Sequence, residues 1–245
     1  MMKTKNTRVL LICICMMVAS CLQAQSHRVY GGYYTKEKIE NCRANCNKYD
    51  WAIRIKQQSI NSARDWVNKS DDELWHMIPG QDLPRCIDVT LDRSSKNPTV
   101  LGCLRCGKQL TRFGGYPYNP DIKNKPWKLT CPSCQIVFPT NDFAKYYASG
   151  IDETGVFNPS KANRAFLYNE AHPDPKDPLH KYGVDDGYGY VDSNGNKHRF
   201  IAYYVWKYWD YIYNGMGFLA NAFLYTGDQR YAHKAAVLLD RVADL

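Results

Sequence analysis

Four cysteines constrain this chain more than any other feature. Cys103 and Cys106, then Cys131 and Cys134, form two C-x2-C pairs separated by 24 residues. A two-residue gap lets both thiolates of one tight turn reach a single ion, so two such turns predict a four-sulfur zinc site at about 2.3 Å per Zn–S bond. Gly107 follows the first pair and is free to take the positive φ that ends such a turn, while Pro132 stiffens the second. Four protein ligands leave no open position, so the expected role is structural.

The compartment decides how such a site is read, and the N-terminus speaks to export. Lys3, Lys5 and Arg8 precede an uncharged apolar run from Val9 to Ala19, the layout of a secretory signal over residues 1–20. The run is shorter than the roughly 20 apolar residues of a membrane span. It ends in Val18-Ala19-Ser20-Cys21, which resembles a bacterial lipobox and makes Cys21 the candidate for lipid attachment. Ordinary cleavage near Ala24-Gln25 is the alternative. The chain is therefore expected to be exported, as a periplasmic protein or an outer-membrane-anchored lipoprotein whose only membrane contact is the lipid. Removing residues 1–20 takes away three positive charges and no negative one, lowering the net charge from +8 to +5. A mildly basic surface suits an acidic polymer. Cys42, Cys46 and Cys86 are expected to be buried free thiols.

Residues 35–68 carry helical spacing of Ile39, Ala52, Ile55, Ile60, Ala63 and Val67 without glycine or proline, which predicts one long helix. Ser70-Asp71-Asp72-Glu73 is a capping box opening a second, stopped by Pro79-Gly80. Residues 84–145 lack helical periodicity, hold both cysteine pairs and include short apolar pieces at 99–101 and 136–138, which predicts a β-rich module pinned by metal. A proline-rich passage leads to Asn194-Gly195, a hairpin turn pair in which both residues tolerate φ > 0. Ile212, Met216, Leu219, Ala220 and Phe223 then form one helical face, Thr226-Gly227-Asp228 breaks the chain, and Tyr231, Ala235, Leu238, Val242 and Leu245 form another. The second pattern runs to the last residue without a stop signal, so more helices are expected beyond it.

Several phrases together resemble the N-terminal part of heparinase II/III-like polysaccharide lyases. They are Lys125-Pro126-Trp127-Lys128, Cys131-Pro132-Ser133-Cys134, Phe138 to Phe143, Tyr146 to Gly150, Gly183 to Tyr190, Phe200 to Trp206, Tyr225 to Ala232 and Leu238 to Asp244. The resemblance covers about residues 75–245. It implies an incomplete (α/α) toroid beginning near residue 203 and followed, in a whole enzyme, by β-sandwich domains; with the metal-pinned module and the helical segment over residues 21–83 read from the spacing above, the expected fold is mainly α with an inserted zinc-ribbon-like module. It also implies β-elimination on uronic-acid-containing glycans, with an acidic polysaccharide or oligosaccharide as substrate. No catalytic residue carries over, because the family's Tyr, His and Asn positions match nothing in these residues; the segment alone is expected to be inactive.

With 19 Tyr and 6 Trp, flat stacking surfaces are plausible, and Tyr203, Tyr204, Trp206 and Trp209 are the candidate sugar contacts, a Tyr-rich core being the alternative. Asp185 and Asp186 order a loop by accepting backbone amides, or bind a cation. Of six histidines, none stands in a His-x3-His or His-x-x-Glu pattern, and no phosphate loop or nucleophile elbow occurs. Besides a lyase, the pattern fits a non-catalytic glycan-binding lipoprotein or a glycoside hydrolase on a related α-toroid. The export signal and the lack of dense Lys/Arg runs argue against nucleic acid.

Overall fold

A computed structural model describes residues 31–94 and 96–245. The signal segment, its lipobox and Cys21, with His27, lie outside the described residues. The described chain up to Ile55 belongs to one compact unit and Lys56–Leu245 forms a second. The structure is mainly helical with small antiparallel sheets. No helix among the described residues is long and apolar enough to cross a membrane.

The expected single helix over 35–68 is two: α1, Lys36–Asn45, and α2, Asp50–Val67. The Thr35 hydroxyl caps α1 by accepting from the Lys38 amide. The break falls at residues 46–49, opened by Cys46 and Asn47, weak helix formers, where amides bond three residues back, Asn47 to Ala44 and Lys48 to Asn45, each at 3.1 Å. Neither proline nor glycine marks it. Cys46 is buried, while Cys42 and Cys86 are only half-buried, correcting the expectation for those two; all three thiols are free.

The capping box forms as expected at α3, Asp71–Met77: the Glu73 amide donates to the Ser70 hydroxyl and the Ser70 amide to the Glu73 carboxylate. Three two-stranded antiparallel ladders follow: β1 (Leu91–Asp92) with β2 (Thr99–Val100), β3 (Leu129–Thr130) with β4 (Val137–Phe138), and β5 (Tyr190–Val191) with β6 (Lys197–His198). A 3-10 helix, Lys108–Phe113, lies between the first two ladders, and α4, Phe143–Ser149, after the second. The hairpin at β5–β6 turns differently from expectation. Gly195 takes φ of 80° but Asn194 is not left-handed; the Asp192 carboxylate accepts the amides of Asn194 and Asn196, each at 2.9 Å, and shapes the turn instead.

Two long helices complete the second unit: α5, Phe200–Thr226, and α6, Gln229–Ala243. Gly227, left-handed, ends α5, and the Asp228 carboxylate caps α6. The helices pack on each other, and α3 packs on α6. Their shared core holds Leu74, Ile78, Ile212, Leu219, Ala222 and Leu238. Ala220, expected on this face, is exposed; the buried stripe runs Ile212, Gly215, Leu219, Ala222. Gly215 is there because the Trp66 indole lies against it: a Cβ would stand 2.3 Å from the ring.

The start of α5 is held from a distance. Arg199, at its N-cap, makes no side-chain cap bond. The fully buried Asp185 supplies one: Oδ2 accepts the Ile201 amide at 3.0 Å, and Oδ1 accepts those of Gly187 and Gly189 at 2.8 and 2.9 Å. Asn141 locks Asp185 in place through its amide side chain, donating to the Asp185 carbonyl and accepting from its N–H. Burial pushes the Asp185 carboxyl up to about 6 despite the three amides aimed at it. Of the two readings of this loop, amide acceptance is what the geometry has. The adjacent Asp186 accepts from the Tyr188 amide and faces Arg164 at 3.4 Å.

Two substitutions test this packing. Asp185→Ala strands three amides, two of them buried, and should destabilise by about 3 kcal/mol or more, read as a lower denaturant midpoint, while Asp186→Ala should cost under about 1 kcal/mol. Gly215→Ala, which in an open helix would stabilise by up to about 1 kcal/mol, should instead cost about 1–3 kcal/mol. Equal stability of Gly215→Ala and the parent would contradict the close approach of Trp66.

Candidate metal centre

The four cysteines of the two pairs come together: each offers a sulfur, and all four sulfurs lie within 4.8 Å of one another. Among the described residues no other group of three or more His, Cys, Asp or Glu side chains is so placed. Two contacts run between the turns, Cys103 to Cys134 and Cys106 to Cys131, each at 3.8 Å. That is nearly twice a disulfide bond length of about 2.05 Å, so the thiols are apart yet all within reach of a common centre.

Local backbone geometry makes the two turns alike. In the first, Cys103 and Gly107 exchange amide bonds at 2.9 and 2.8 Å; in the second, the Gln135 amide donates to Cys131 at 2.9 Å, and the Cys131 amide to Ile136 at 2.8 Å. Each turn is closed by a left-handed residue directly after its second cysteine, Gly107 at φ 59° and Gln135 at φ 62°. Gly107, with ψ of −138°, sits in backbone space that essentially only glycine occupies. Gln135 was not legible in advance, because no residue-type signal marks it. The β3–β4 ladder presents the second turn, with Cys131 directly after β3 and Cys134 three residues before β4.

The electrostatics of the cluster favour bound thiolates over free ones. Burial pushes the Cys103 thiol up to about 12, against the amides of Cys106 and Arg105 that point at its sulfur. Burial also raises Cys131, opposed by the amides of Cys134 and Ser133. At Cys134 burial is outweighed by the Ile136 amide and the neighbouring thiols, and its value falls. A cation at the centre would supply the charge that burial denies these sulfurs, with the amides already oriented. One further group fits the same account. The Tyr118 side chain is buried and its hydroxyl has no hydrogen-bond partner, and burial, with the charges of the Cys103, Cys131 and Cys106 sulfurs, pushes its phenol up. A metal-bound Cys103 thiolate would be an acceptor for this orphaned phenol. Nothing in the sequence around Tyr118 signals this.

Below the sulfurs lies a core that continues into α5: Leu110, Leu129, Phe138, Phe200, Tyr203 and Tyr204. Phe138 of β4 stacks on Phe200 of α5, centroids 4.6 Å apart and planes 6° from parallel. The Tyr203 hydroxyl donates to the Tyr118 carbonyl at 2.9 Å. Tyr203 is thus a core residue, correcting its assignment as a sugar contact: its ring has no exposed face. Trp209 is half-buried beneath the Arg85 guanidinium, 4.2 Å from its ring, and Trp206 packs between Tyr116 and Tyr203 with the Lys207 ammonium over it. Tyr204 is buried but lies at the edge of a cleft. The described histidines are dispersed: His172 faces Asp177, His198 faces Asp192 and His233 faces Asp71.

Compared with protein-family models, curated proteins and solved structures, the chain has no match.

The purified protein should hold about one metal ion per chain, measured by elemental analysis after dialysis. Cys106→Ser or Cys131→Ser should abolish retention, and acid should release the ion as the thiolates protonate. Tyr118→Phe should keep the ion but weaken its affinity about 10-fold or more in chelator competition, the scale of a lost outer hydrogen bond. A metal-free protein with both pairs oxidised would refute the centre.

Proposed function

We propose that this chain is part of an exported polysaccharide lyase acting on uronic-acid-containing glycans, held together by a structural zinc ion on Cys103, Cys106, Cys131 and Cys134, with a lipid on Cys21 after cleavage. The helices α5 and α6 would begin its (α/α) toroid, and the β3–β4 turn its ribbon-like module. Zinc suits the sulfur set: a tetrahedron with Zn–S bonds of about 2.3 Å has edges of about 3.8 Å, the spacing of the Cys103–Cys134 and Cys106–Cys131 pairs. Four thiolates also saturate the ion, which leaves it no place for a water and makes its contribution one of stability.

The lyase reading rests on one observation above others. The phrases that carry the resemblance are far apart in sequence but meet around the start of α5. Lys128 donates to the carbonyls of Pro139 and Asn141; the Thr140 hydroxyl donates to the Tyr182 carbonyl; Asn141 clamps Asp185; and Asp185 caps α5 at Ile201. A set of phrases tied by its own hydrogen bonds is what a shared local architecture would require. In such an enzyme the chemical difficulty is removing a weakly acidic C5 proton, so stabilising the charge that develops on the uronate is the main demand.

The complete reading frame that carries this sequence, incubated with alginate, hyaluronan and heparan-type polymers, should yield unsaturated uronates, read by their ultraviolet absorbance. New reducing ends without that absorbance would mean hydrolysis and sink the lyase assignment; binding without any cleavage would point to a glycan-binding protein.

A further inference from the structure

Residues 93–120 hold five cations, Arg93, Lys96, Arg105, Lys108 and Arg112, and no acidic residue. Of the five, only Arg93 is in an ion pair among the described residues, with Asp88. Four thiolates on one divalent ion would set a charge of about −2 beneath this surface, which the four unpaired cations exceed. Lys108 and Arg112 lie on the 3-10 helix that leaves the first cysteine turn, and Leu110 is its one buried residue. Beyond it residues 111–116 are all exposed. At Gly114 and Gly115 no atom would stand within 4 Å of an added Cβ, so the bend touches nothing on either side. The chain here forms a projecting tip.

The tip turns apolar rings outward. Phe113 is 42% exposed and Tyr116 56%. Cations accompany both: the Arg112 guanidinium lies over the Phe113 ring, 4.9 Å from its centre, and Tyr116 packs 5.3 Å from Trp206, whose own ring lies 4.6 Å under the Lys207 ammonium. Arg112 also reaches the Ser133 hydroxyl of the second cysteine turn at 3.4 Å, which braces the tip on the sulfur module. Shape separates the ligands that such a surface can serve. A small molecule is gripped by a concavity, and a stiff polymer gains little from a convex point. A medium that yields around the rings gains more. The headgroup layer of a bilayer is one: aromatic side chains settle at its depth, and Lys and Arg are drawn to its anionic lipids.

We infer that the 108–116 tip docks on a bilayer surface bearing anionic phospholipid, with Phe113 and Tyr116 in the headgroup layer and Arg105, Lys108 and Arg112 against the phosphates. The contact is a second attachment beside the lipid proposed on Cys21, and it rests on neither that lipid nor the lyase reading. A single tether lets a protein swivel. A tether joined by a basic, aromatic contact holds more firmly and fixes which face of the second unit meets the membrane.

Vesicle flotation of the metal-loaded mature chain, residues 21–245, tests this, with Cys21→Ser keeping acyl groups out of the measurement. The chain should float with vesicles of phosphatidylcholine and phosphatidylglycerol at about 3:1, partition at least about tenfold more weakly onto phosphatidylcholine alone, and come off as salt rises from about 0.1 to about 0.5 M. Arg112→Gln should weaken partitioning about fivefold, and Phe113→Ser combined with Tyr116→Ser about tenfold or more. These side chains are exposed, so the variants should keep the ion and melt like the parent. Partitioning that no variant alters would put the contact elsewhere and overturn the inference, as would equal partitioning onto neutral vesicles or no flotation at all. A soluble polyanion, polyphosphate or alginate, bound as tightly as the vesicles and with the same dependence on Arg112 and Phe113, would make the tip a polymer site and overturn the membrane assignment. The lyase assay decides none of these outcomes, so either reading can fail while the other stands.

Discussion

One buried carboxylate organises the second unit. Asp185 receives the amides of Gly187 and Gly189 from its own loop and of Ile201 from α5, and it is itself clamped by Asn141. A long helix begins with unpaired amides, and its own N-cap, Arg199, leaves them unanswered. Supplying the missing acceptor from a loop 16 residues upstream ties the direction of α5 to that loop, and through Asn141 to the segment that follows β4. The arrangement places a charge where it is poorly solvated, and the helix terminus and three amides are what make it tenable.

From that joint the structure reads outward in two directions. Toward one side, Phe200 stacks on Phe138, and the β3–β4 ladder carries the second cysteine turn, so the sulfur cluster is built on the same platform that starts the helix. Toward the other, successive turns of α5 set Tyr204, Tyr208 and Tyr211 along a cleft, and Gly215 lets Trp66 approach closely enough to bring α2 alongside. The helix is thus a ruler: its first turn is anchored to the sulfur module, its middle lines the cleft and its second half packs on α6.

Legibility from sequence followed how local the cause was. The cysteine quartet, the Ser70 capping box, the Gly227 stop and the Asp228 restart rest on residues a few positions apart, and each was readable. The break at residues 46–49 was not, since it arises from weak helix formers rather than from a glycine or proline. Nor was the exposure of Ala220, because Gly215 and Ala222 become core only where Trp66 and α6 pack. Asp185 was readable as an amide acceptor, but its reach to Ile201 depends on how the chain returns. Tyr203 illustrates the converse: an aromatic-rich helix start suggests a binding face, and packing under the sulfur turns makes that ring interior.

The cross-turn pairing of the sulfurs has a consequence for durability. Cys103 approaches Cys134 and Cys106 approaches Cys131, so each close pair joins one turn to the other. Were an ion held there and then lost in an oxidising milieu, bonds formed between those partners would lash together the same two turns that the ion would have gathered. The module would trade a coordinate fastening for a covalent one without having to exchange neighbours.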